Sequence, residues 1–179
     1  VVAVAAADGP VHVHAFGTTE TGAPMRPGQR ILLTSVTKPF TAMQVLQLVE
    51  DGLLDLRAPV AETIPEFGCN GKNRVTTWQL LSHTGGIDDA ANTAERHAPG
   101  STPADHLAAA CAGSLAFAPG TGWAYCSPGF WVLAELVTRL SGRSYVEGLE
   151  ATITGPLGMA DTRYQPGDTV PADWAGAMA

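Results

Sequence analysis

Ser35 and Lys38, three residues apart in Thr34-Ser35-Val36-Thr37-Lys38-Pro39, are the residues of this chain best spaced to do chemistry together. At the start of a helix, positions three apart share a face, so the hydroxyl and the amine become neighbours. A serine hydroxyl is a poor nucleophile until a base takes its proton, and a lysine can be that base only where its surroundings favour the neutral amine. A helix N-terminus adds unpaired N–H groups and the positive end of the dipole, both favourable to a developing oxyanion. Pro39 fits there, because the first turn can spare an N–H. Read alone, the same four residues also describe a surface serine and lysine at a helix start.

A second group lies far along the chain. Tyr125-Cys126-Ser127 follows the turn-rich Ala118-Pro119-Gly120-Thr121-Gly122 and precedes a strongly apolar stretch, a place where a side chain can point into a cleft. A phenol there can pass a proton between a serine nucleophile and a leaving group. Taken by itself, Tyr125 reads equally as a partly buried loop tyrosine. Trp123, two residues earlier, is the tryptophan placed to line a pocket; Trp78 and Trp131 read as core or cleft wall.

Other reactive side chains have plainer readings. His12 and His14, two apart on an expected strand, mimic metal ligands, but no carboxylate or third histidine accompanies them, so they read as surface strand residues. His97 and His106 are isolated. Asp88-Asp89 reads as a solvated turn after a helix end. Cys69, Cys111 and Cys126 have no metal-type spacing, and an odd number cannot all pair within one chain. Three free thiols, or one disulfide and a free thiol, both fit.

Elements to position these groups follow from the hydrophobic pattern. Val1–Val4 reads as a buried strand, Asp8-Gly9-Pro10 as a turn, and 11–17 as its alternating hairpin partner. Residues 18–30 form a loop. A helix starts near Ser35, with Phe40, Met43, Val45, Leu46 and Val49 at helical spacing and Gly52 to end it. Residues 55–65 read as a surface loop. Thr76 or Thr77 caps a short helix stopped by Gly85-Gly86, and Thr102-Pro103 opens another to about Cys111. A strongly apolar helix follows from about Pro128 to Leu140, stopped by Ser141-Gly142, and one more runs from about Ser144 to Thr154. Two strands are not a stable sheet alone.

Bulk properties narrow the function. The chain has 179 residues, 45% hydrophobic and 15% charged, which suits a globular domain. Its formal charge of −7, from 17 acids against 10 bases, with no basic run, argues against a nucleic-acid partner. No stretch approaches the roughly 18 apolar residues that span a bilayer. Val1–Ala7 lacks the basic flank of a complete signal peptide, and the compartment stays open.

The order of short boxes is more specific. The chain resembles the class C β-lactamase family in its wide sense, which takes in D,D-peptidases and family VIII carboxylesterases. The resemblance rests on Thr34–Ala42, on Asp51-Gly52-Leu53-Leu54-Asp55-Leu56 with Pro59-Val60 and Ile64-Pro65-Glu66-Phe67, and on Leu80-Leu81-Ser82-His83-Thr84-Gly85-Gly86-Ile87. Phe117-Ala118-Pro119-Gly120, Tyr125-Cys126-Ser127 and Pro156-Leu157-Gly158-Met159 with Asp161-Thr162 complete it. It implies Ser35 as acylated nucleophile, Lys38 as its base, Tyr125 as second proton-transfer residue and the Ser35 N–H as one oxyanion donor. Neither metal nor organic cofactor is implied.

Two departures shape the expectation. Where the family usually has Tyr-x-Asn, the third place here is Ser127, whose single hydroxyl donates once, which tilts the reading toward an ester or peptide-like substrate over a β-lactam. The family's third box, Lys-Thr-Gly or His-x-Gly on a sheet strand, is not found; His83-Thr84-Gly85-Gly86 resembles it in letters but belongs to a helix end. The expected architecture is α/β of the α+β type. A hairpin and loop over 1–33 precede a mainly helical lobe over 34–160 and a loop over 161–179, the rest of the antiparallel sheet lying outside this sequence. The expected function is a serine hydrolase working through an acyl-enzyme on an ester, a peptide amide or a β-lactam, with Ser127 and Trp123 binding substrate. The alternative is a non-catalytic relative that binds penicillin-like or peptide ligands.

Overall fold

The computed structural model describes residues 1–89 and 101–164. The chain divides into two compact units, one containing Val1–Ser35 and the other the described residues from Val36 to Tyr164.

In the first unit, strands β1 (Val2–Val4) and β2 (His12–His14) pair antiparallel, with Val2 opposite His14 and Val4 opposite His12. The turn closes where the Gly9 N–H donates to the Ala6 carbonyl. The expectation of a buried first strand is overturned: Val2 is 52% exposed and Val4 62%. A two-stranded ribbon has two open faces, and among the described residues of this unit no further strand pairs with it. β2 is also shorter than the expected 11–17. A one-turn 3₁₀ helix, Thr34–Val36, straddles the boundary and is followed directly in sequence by the first helix of the second unit. Thr34 has φ +44°, a conformation that β-branched residues rarely adopt.

The second unit is built around one helix. Its helices are α1 (Thr37–Glu50), α2 (Thr77–Leu81), α3 (Pro103–Ala112), α4 (Pro128–Ser141) and α5 (Tyr145–Leu149). α4 packs against the other four. Its buried Val132, Leu133, Leu136 and Val137 recur at helical spacing, and Gly142, with φ +67°, ends it as its sequence position predicts. Fully burying one such side chain contributes about 1.5–3 kcal/mol.

Three elements differ from expectation. α1 buries Thr41, Gln44, Val45 and Leu48, whereas Met43 and Leu46 lie exposed. Its inward face is partly polar because the Thr41 hydroxyl pairs with the Tyr145 hydroxyl at 2.9 Å. The 55–65 stretch is not a plain surface loop: it holds a 3₁₀ turn, Val60–Glu62, and buries Val60 and Ile64. The Val60 N–H donates to the Val75 carbonyl at 2.9 Å, which satisfies the main chain where the side chains go inward. Finally, α5 covers five residues and runs on as a π-helical turn, Glu150–Thr154.

Capping boxes start α2, α3 and α5, on Thr76 with Gln79, Thr102 with Asp105 and Ser144 with Glu147. All three cysteines are free thiols, Cys111 and Cys126 buried and Cys69 exposed. Trp78 is 60% exposed and so is not a core residue. Trp131 is half-buried and stacks on His106 at 4.6 Å, so His106 is not isolated. His97 lies outside the described residues.

Candidate active site

Lys38 sits in the first turn of α1, half-buried. Its Nζ donates to Ser127 Oγ at 3.4 Å, across 89 residues of sequence. The same Nζ lies over the Tyr125 ring, 4.7 Å from its centroid, and 5.5 Å from that of Phe130. Contacts of this kind are electrostatic attractions to the ring face. The second unit therefore brings together three of the residues that the sequence singles out: Lys38, Tyr125 and Ser127.

The Tyr125-Cys126-Ser127 segment is held by its neighbours more than by itself. Cys126 is buried and Tyr125 is 44% exposed, so the segment is anchored at its middle. Ser127 and Pro128 open α4, where proline fits the first helical position. Alongside runs the 83–89 strip. The His83 carbonyl accepts the Ala124 N–H at 3.1 Å and the Thr84 carbonyl accepts the Gly120 N–H at 2.8 Å. His83 Nδ1 accepts the Cys126 N–H at 3.1 Å, and Asp89 Oδ1 accepts the Ser127 N–H at 2.8 Å.

This strip corrects two expectations. Asp89 is half-buried and bonded to the catalytic-candidate segment, so it is not part of a merely solvated turn. α2 stops at Leu81, before Gly85-Gly86, and His83 itself takes the left-handed conformation at φ +59° that turns the chain. Gly86 is needed for another reason: with φ +78°, any Cβ on it would stand 2.2 Å from the Phe117 carbonyl oxygen. The His83 ring packs on Tyr125 at 4.6 Å and on Phe130 at 5.3 Å. Burial first, and then the Lys38 charge, push the His83 imidazole below its ordinary value, with Asp89 pulling the other way.

Trp123 is 66% exposed and meets the His83 ring edge-on at 6.1 Å. Ser35 is exposed, in the 3₁₀ turn three residues ahead of Lys38. His12 and His14 are exposed on β2, and no group of three metal-type ligands occurs among the described residues. None of the described helices is long and apolar enough to cross a membrane. His83, Asp89 and Phe130 are the site neighbours that sequence reasoning missed. The available signal was the Leu-Leu-Ser-His-Thr-Gly-Gly box itself, in which a histidine occupies the place where a glycine would do for a helix end.

The family model described as Beta-lactamase matches residues 1–179. The chain belongs to the beta-lactamase family. This beta-lactamase-family chain is similar to Esterase EstB of Burkholderia gladioli, 35% identical over 161 residues that cover 81% of this chain and 41% of that protein. Among solved structures, it is similar to a D-stereospecific amidohydrolase from Streptomyces sp., with 31% identity and a TM-score of 0.61, covering 70% of this chain and 42% of that one. It is also similar to a penicillin binding protein from Bacillus halodurans, with 26% identity and a TM-score of 0.76, covering 93% of this chain and 54% of that one. The mixed fold, helical with a two-stranded antiparallel sheet, matches part of the fold of these neighbours. The chain spans about half or less of the length of these relatives.

Proposed function

We propose that this chain carries the acylating residues of a serine hydrolase acting on an ester or amide. The observation that carries the reading is the placement of Lys38 Nζ over the Tyr125 ring and within 3.4 Å of Ser127 Oγ. The lysine of one box and the tyrosine and serine of another, far apart in sequence, share one spot.

In this reading Ser35 Oγ attacks the substrate carbonyl carbon while Lys38 takes its proton. The Ser35 N–H supports the oxyanion. Tyr125, beside Lys38, passes a proton to the departing alkoxide or amine as the carbonyl–heteroatom bond breaks. Water then attacks the acyl-serine, giving up a proton to the same pair, and the free acid leaves. Ser127 accepts from Lys38 and offers one hydroxyl hydrogen to the substrate, which suits an ester or a simple amide. Trp123 forms an exposed apolar wall next to Tyr125. The similar proteins named an esterase and an amidohydrolase support this substrate class.

The test is covalent labelling of the full-length protein with a fluorophosphonate. The expected result is a mass increment on Ser35 that Ser35→Ala abolishes. A folded protein that takes no adduct would sink the hydrolase reading and leave the binding-only alternative.

A further inference from the structure

The N–H groups on either side of Tyr125 run to a single residue of the neighbouring strip. The His83 carbonyl takes the N–H of Ala124, the residue before Tyr125, and His83 Nδ1 takes the N–H of Cys126, the residue after it. Between these two bonds the His83 ring lies on the Tyr125 ring, centroids 4.6 Å apart and planes inclined by 33°. On its other contacts the ring meets Phe130 of α4 and the edge of Trp123. One residue thus holds the main chain on both sides of Tyr125, by its carbonyl before it and by its ring nitrogen after it, and its ring covers the tyrosine's face. His83 does this from a left-handed backbone, φ +59°, that costs a non-glycine residue on the order of 1–2 kcal/mol. A helix end does not need that cost, since glycine would remove it.

We propose that His83, in its neutral form, is a positioning residue that fixes the Tyr125 phenol for proton transfer to the leaving group; this rests on the hydrolase reading above. The chemistry of Nδ1 requires the neutral ring, because the lone pair that accepts the Cys126 N–H is the one a second proton would occupy. The charged groups facing the ring among the described residues are Lys38 from α1 and Asp89 from the strip, and burial with the Lys38 charge favours the neutral form. Protonation of His83 releases Cys126 and places a second positive charge beside Lys38.

The phenol's task separates this role from a merely structural one. An alkoxide must be protonated as it leaves, whereas p-nitrophenolate leaves unaided. Ethyl butyrate and p-nitrophenyl butyrate deliver the same acyl group to Ser35 and differ only in that demand. In the full-length protein, His83→Ala is expected to lower kcat/KM for ethyl butyrate about 10²-fold and for p-nitrophenyl butyrate only a few-fold, as Tyr125→Phe should. His83→Asn keeps an acceptor oxygen near the place of Nδ1 and tolerates the left-handed backbone, so it should restore most of the ethyl ester rate. It also decides the matter if the alanine variant does not fold. Equal losses on the two esters, or a folded His83→Asn no better than His83→Ala on the ethyl ester, overturn the positioning role while leaving the hydrolase reading intact. A wild-type protein with no Ser35 adduct and no turnover of either ester overturns the hydrolase reading, and this proposal with it.

Discussion

The two lysines of the second unit, Lys38 and Lys72, hold the same ammonium in opposite ways. Lys72 is fully buried. It donates to the Cys111 carbonyl at 2.9 Å and to the Gly113 carbonyl, both at the C-terminal end of α3, and its Nζ lies 4.0 Å from Cys69 Sγ. Burial pushes the Lys72 amine below its ordinary value, with the two nearby sulfurs acting against that shift. Its two close acceptors are main-chain carbonyls at the negative end of a helix, which cannot give or take a proton; the Cys69 thiol, which can, stands farther off. Lys38 is half-buried, and its Nζ faces a serine hydroxyl and a phenol-bearing ring, groups that can exchange protons. A lysine that caps a helix needs acceptors, and a lysine that does acid–base work needs neighbours with mobile protons. The surroundings, more than burial, separate Lys72 from the proposed base Lys38.

Removing each lysine should break the comparison in different places. Lys38→Ala is expected to lower the rate of Ser35 acylation about 10³-fold while the urea midpoint hardly moves, since the helix start loses only a half-exposed side chain. Stopped-flow labelling beside an unfolding curve reads both. Lys72→Met should do the reverse. Leaving the Cys111 and Gly113 carbonyls buried and unpaired is expected to cost about 2–4 kcal/mol of stability, with the acylation rate of the folded fraction retained. A Lys72→Met protein that is fully stable but slow to acylate would erase the distinction.

How far the sequence could anticipate this depended on the kind of contact. α4 was legible because its apolar spacing and Gly142 are local properties, and they agree with the observed Pro128–Ser141. Lys38, Tyr125 and Ser127 were legible because ordered boxes carry them. Lys72 and His83 were not, because each acts through main-chain groups supplied by distant residues, and a carbonyl leaves no mark in a sequence. α1 shows the same limit from the side of packing. Met43 and Leu46 belong inward by type, yet the inward positions go to Thr41 and Gln44, since Tyr145 stands opposite to bond the threonine. Val2 and Val4 were misread for a simpler reason: apolar type predicts burial only where another layer covers the strand, and none of the described residues does so here.

The smallest effect is expected on the exposed side of the Lys72 region. Arg139 of α4 donates to Glu66, in the turn Pro65–Gly68, and to the Thr63 carbonyl at 3.2 Å; its Nε donates to Glu135 at 2.7 Å. The Arg139 hydrogen bond holds the Glu66 carboxyl below the usual carboxylate range. A carboxyl lowered in the folded state contributes stability that is present above its unfolded value and is lost as pH falls through the folded one. The contribution of this pair should therefore fade only below about pH 4.5. Glu66 is about half exposed, so solvent screens the pair, and Glu66→Gln is expected to cost about 0.2–1 kcal/mol at neutral pH and nothing in strong acid. Unfolding midpoints of the two proteins should converge as the pH is lowered and separate less in high salt. A gap as large at low pH as at neutral pH would mean that Glu66 contributes through contacts that do not need its charge, and that the surface of this region, unlike the Lys72 interior, is not held by an ionic group.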